Sequence, residues 1–78
     1  MSAPFATMKP APGAETIAPE LLRDYLAELF DVAANYASAA SLAALRGADT
    51  TAAAHFEQLV IVGREIRRAL ALLQKEAR

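Results

Sequence analysis

The chain has 78 residues and a formal charge of −1 at pH 7, from eight Lys and Arg against nine Asp and Glu. It has no cysteine and one histidine, which excludes a disulfide framework, a thiolate metal site and a multi-histidine centre within one copy. The near-neutral balance argues against a generally basic nucleic-acid binder and equally against an acidic solvating tail.

Hydrophobic residues make up 55% of the chain, but twenty of them are alanines, so the core is thin for its length. Domains this small usually rely on disulfides, a metal or a partner chain. Self-association is therefore the expected stabiliser.

Residues 1–16 contain Pro4, Pro10, Pro12 and Gly13, with only Phe5 and Met8 as bulky apolar groups. Such a stretch buries too little surface to offset its ordering entropy, which predicts a flexible arm. Its single basic residue, Lys9, and its prolines do not resemble a secretory signal, so a cytoplasmic location is expected. Six arginines against two lysines, with the alanine excess, suit a GC-rich bacterial genome.

After Pro19 the chain has no further proline. Thr16 or Ala18 precedes a helix, Pro19 fits its first turn, and Glu20 places negative charge at the positive end of the helix dipole. Leu22, Leu26, Leu29, Ala33, Tyr36, Ala40 and Ala43 follow at alternating spacings of 4 and 3, which keeps them on one stripe. Gly47 suits the left-handed residue that ends a helix, so the first helix is predicted over 19–46.

The connection, 47–49, is very short. Asp49 or Thr50 is expected to cap a second helix over 50–76. Ala52, Phe56, Leu59, Gly63, Ile66, Leu70, Leu73 and Ala77 repeat the alternation of 4 and 3. Two helices of about 27 residues joined this tightly must run antiparallel, giving an all-α hairpin of coiled-coil type. Folding about the turn pairs residues whose numbers sum to about 96, with Ala33 opposite Gly63 as a close backbone approach.

A two-helix hairpin needs only one apolar stripe per helix. The first helix adds Leu21, Tyr25, Phe30, Val32 and Ala37, and the second adds Val60, Ile61 and Leu72. That surplus predicts a partner interface at Leu21, Tyr25, Phe30, Val32, Val60, Ile61 and Leu72. The expected assembly is a homodimer forming a four-helix bundle, with a larger protein partner as the other occupant.

Chemistry is harder to find. His55 has Thr51, Ala52, Gln58 and Leu59 at the helical spacings where a second metal ligand would stand, so neither metal nor catalytic work is expected of it. The carboxylates lie off the apolar stripes, and no phosphate loop or nucleophile motif is present. No enzyme activity and no cofactor are expected.

The most distinctive polar feature is a basic stripe of Arg64, Arg67, Arg68, Lys75 and Arg78. Residues 64–78 carry a net +3, and residues 20–31, with Glu20, Asp24, Glu28 and Asp31 against Arg23, carry −3. The acids and bases lie on opposite-handed flanks, which predicts pairing to a partner chain rather than within the hairpin. The leading expectation is a non-enzymatic interaction module, such as an adaptor, small regulator, chaperone or accessory subunit. The alternative is a small nucleic-acid-associated protein using the basic stripe.

Overall fold

The structure, a computed structural model, describes residues 18–76. The expected arm over 1–16, and the positions of Ala77 and Arg78, lie outside the described residues. Helix α1 runs Pro19–Leu45 and helix α2 runs Asp49–Glu76, and the two pack against each other.

Helix α1 begins as its sequence requires. Ala18 has extended backbone (φ −56°, ψ 138°) and its carbonyl accepts from the Leu22 amide at 3.0 Å, while Pro19 takes the first turn. The helix ends by handing its last carbonyls to the turn. The Gly47 amide donates to the Ala44 carbonyl at 3.0 Å, and the Ala48 amide donates to the Ala43 carbonyl at 2.8 Å. That pair of bonds requires a left-handed residue between them, and Gly47 supplies it with φ 76°.

Helix α2 starts one residue earlier than the spacing predicts. The Ala48 carbonyl accepts from the Ala52 amide at 2.9 Å, so Asp49 is already helical. Asp49 therefore contributes charge in the first turn instead of a capping bond.

Tyr25 reaches Glu65 and Tyr36 lies against His55, which fixes the helices as antiparallel. Residues whose numbers sum to about 91 stand level, not 96, because the turn closes within Arg46, Gly47 and Ala48. Ala33 is accordingly not opposite Gly63.

The seam of α1 follows the predicted stripe. Leu22 and Ala43 are buried, and Leu26, Leu29, Ala33, Tyr36 and Ala40 are half-buried. The seam of α2 differs in one of its two rows. Leu59, Ile66 and Leu73 point inward with Ala52, but His55, Val62 and Ala69 complete the seam in place of Phe56, Gly63 and Leu70. Phe56 is 57% exposed, Leu70 is exposed, and a Cβ built on Gly63 would meet nothing within 4 Å.

The two choices share every other seam residue and differ by a rotation of α2 through about 50°. Size complementarity explains the choice. Leu22 stands level with Ala69, each only 2% exposed, and the Tyr36 ring meets the smaller His55 ring. Phe56 and Leu70 in those places would crowd Tyr36 and Leu22.

The buried hydrophobic residues are only Leu22, Ala43 and Ala69, so one large side chain is enclosed among the described residues. Leu22→Ala is expected to remove about 2 to 3 kcal/mol, against the roughly 3 to 5 kcal/mol a single core of this size provides. Circular dichroism during urea titration would then show the midpoint falling by about 2 M. A midpoint equal to wild type would place the stabilising contacts elsewhere.

Candidate interaction surface

The Tyr25 hydroxyl donates to Glu65 Oε1 at 3.4 Å, and Arg68 Nη1 donates to Glu65 Oε2 at 2.9 Å. This contact sorts the two faces of the hairpin. The flank of α1 carrying Tyr25 and the flank of α2 carrying Glu65 share one face, so the opposite flanks share the other.

On the Tyr25 face lie Leu21 and Val32 from α1, with Ile61 and Leu72 from α2, all exposed. It is a mixed face. The Tyr25–Glu65–Arg68 chain crosses it, and Glu28, Gln58 and Asn35 also sit on that side. The Arg68 side chain is 70% exposed, so its bond to Glu65 is a solvated surface pair that contributes at most about 1 kcal/mol.

The other face is built from the rows one step beyond the seam. From α1 come Phe30, Ala37 and Ala44, at intervals of seven residues, and from α2 come Phe56, Gly63 and Leu70 at the same interval. Phe30 is 50% exposed, and every residue of these two rows lies open except as its helix neighbours cover it. Between Arg23 at one end and the turn, the α1 side of this face carries alanines and no charge. Val60, predicted for the partner interface, is half-buried at the edge of this face.

A two-helix contact uses two rows of apolar residues on each helix, and here each helix carries a third. Leu42 and Leu45 are exposed as well and were not legible as surface candidates, since they fall outside the stripe that sequence periodicity selects. A count of bulky residues behind the stripe near Gly47 would have found them.

Arg64, Arg67, Arg68 and Lys75 are exposed, as the basic stripe predicts, while Arg78 lies outside the described residues. Shallow open depressions run along this side of α2, one lined by Val60, Gly63, Arg64, Arg67, Arg68 and Ala71, the other by Phe56, Glu57, Val60, Ile61 and Arg64. Apolar and cationic groups thus alternate along one helix edge. Glu20, Asp24, Glu28 and Asp31 are exposed on the outer edge of α1. Among the described residues, no ion pair joins that acidic edge to the basic one; the pair present is Arg68–Glu65 within α2.

His55 is half-buried, with its ring centroid 6.4 Å from that of Tyr36 and the planes tilted by 39°. It packs as a seam residue. No cluster of three or more His, Cys, Asp or Glu suited to a metal occurs among the described residues, and none of their helices is long and apolar enough to cross a membrane. A scan against protein-family models, a search of curated proteins and a search of solved structures each found no match to this chain.

Proposed function

We propose that this chain is a non-enzymatic, self-associating interaction module whose working unit is a homodimer in a four-helix bundle. One observation carries the reading: Leu22 is the only large side chain buried among the described residues, while ten large hydrophobics, aromatic and aliphatic, stand exposed. Single exposed leucines are ordinary, but contiguous apolar patches beyond a few hundred Å2 on a small domain mark surfaces that another molecule covers. A bundle would turn the third apolar row of each helix into core. The role is then that of an adaptor, regulator, chaperone or accessory subunit, with the mixed Tyr25 face left for a further protein.

Sedimentation equilibrium of the full chain from low micromolar to millimolar concentration tests this directly. The expected result is a reversible monomer–dimer equilibrium. A monomeric mass throughout that range, with the helices intact, would overturn it.

The basic edge of α2 supports a second reading, nucleic-acid association. Arg64, Arg67 and Arg68 cluster on a face with no carboxylate partner other than Glu65 among the described residues. Such binding would be lost steeply as salt rises.

A further inference from the structure

We infer that the second copy docks on the Phe30–Phe56 face, with the two-fold axis parallel to the helices, so that both turns lie at the same end of the bundle and Phe30 of each copy fills the space over Gly63 of the other. This rests on the self-association proposed above and adds which face is used and in which direction.

The choice of face follows from polarity. The Tyr25 face is crossed by the Tyr25–Glu65–Arg68 chain, whose groups would have to be desolvated in a contact. The opposite face presents uncharged rows on α1 between Arg23 and the turn, and on α2 its arginines stand at the rim of the hollow at Gly63, where they can stay solvated. Two helices about 40 Å long, side by side and about 10 Å apart, offer a face of roughly 800 Å2 per copy, the size of a standard stable interface.

The choice of axis follows from level and charge. A two-fold axis along the helices places α1 of one copy over α2 of the other without any shift along the bundle. Residues that are level within one hairpin are then level across the interface. Phe30 comes within two residues of Gly63 of the other copy, and Ala37 within two residues of Phe56. Helical side chains lean toward their own N-terminus, and in antiparallel helices that lean closes both gaps. Each large ring therefore meets a small residue, and each such pair occurs twice. Gly63 has nothing within 4 Å of a built Cβ in the single hairpin, which is the vacancy such a ring requires.

The same axis sets the acidic outer edge of α1 beside the basic outer edge of α2. Asp31 and Asp24 stand level with the segment of the other copy that carries Arg64 and Arg67. An axis perpendicular to the helices would instead lay the charged halves against the turn halves. There the acids of α1 face residues 32–45, which carry no charge, and only Asp49 and Glu57 face the arginines of α2, so fewer opposite charges meet.

Two measurements on the full chain test the arrangement. The sequence has no cysteine, so Arg46→Cys provides a unique spin-label site at the turn. Both labels at one end predict a separation within about 30 Å, whereas opposed turns predict more than about 40 Å. Independently, Gly63→Leu should raise the dimer dissociation constant at least tenfold, by about the cost of overpacking a tight contact, while helicity is kept or increased. Adding Phe30→Ala to Gly63→Leu should return the constant most of the way, because the leucine then occupies the space the ring vacates. Distant labels, or a Gly63→Leu chain that dimerises like wild type, would overturn this arrangement while leaving self-association standing. A wild-type chain that never dimerises would overturn both.

Discussion

A hundredfold dilution is expected to lower the melting temperature by about 10 °C. Mass action makes the free energy of a dimer fall by about 2.7 kcal/mol over that range. Two copies contain about 120 helical and turn residues, whose unfolding entropy near 60 °C is about 0.25 kcal/mol per kelvin. Their quotient is about 11 °C, large enough to read by circular dichroism at two path lengths. The physical source is the shortage of enclosed side chains: with Leu22, Ala43 and Ala69 as the buried set among the described residues, one hairpin holds too little apolar area to fold alone with a wide margin. A melting temperature independent of concentration would show that the hairpin suffices by itself.

The second large effect is expected from reversing Arg64, Arg67 and Arg68 to glutamate together. None of the three lies on the inner seam, since all are exposed, so helix content should survive. The patch changes by six charge units, and in the proposed dimer attraction to the acidic edge of the other copy becomes repulsion. Individual exposed pairs contribute about 0 to 1 kcal/mol, and Arg68 already pairs with Glu65 in its own helix. The loss across the dimer therefore comes from Arg64 and Arg67 in each copy and should weaken it on the order of thirtyfold at low salt. The loss should shrink as salt is raised, because the Debye length falls to about 3 Å at 1 M. If the arginines instead serve nucleic acid, the dimer will be unaffected, and salt-sensitive retention of DNA or RNA by the wild type will vanish in the variant.

Much of the fold was legible because its determinants are local. Pro19, Gly47 and the unbroken 3–4 alternation on α1 specify where that helix starts, where it stops and which side faces inward. The second row of α2 was not legible from the same signal. Positions 52, 59, 66 and 73 belong equally to a seam completed by Phe56, Gly63 and Leu70 and to one completed by His55, Val62 and Ala69. Hydrophobicity favours the first set. Packing against Leu22 and Tyr36 selects the second, a decision that depends on residues some forty positions away in the chain. The Gly63 position shows the consequence: sequence reasoning assigned it to close contact inside the hairpin, whereas its Cβ direction is open. Register is hidden from the sequence for a related reason, since the length of the turn is set by how Gly47 and Ala48 return the carbonyls of α1. The surface candidates were easier, because they needed only to lie off the seam: Leu21, Tyr25, Phe30, Val32, Ile61 and Leu72 are exposed, while Val60, predicted with them, is half-buried.

The turn at Gly47 also governs chain topology. Only its positive φ reverses the backbone between two helices that otherwise have uninterrupted helical sequence on both sides. A β-branched residue there would favour continuing the helix, and the segment from Pro19 to Glu76 would become a single rod about 85 Å long. Two such rods could pair antiparallel and re-create every α1–α2 contact between chains instead of within one. The hairpin and the exchanged rod thus share the same inner seam, and the choice between a folded-back subunit and an interlaced one rests on the conformation of one glycine.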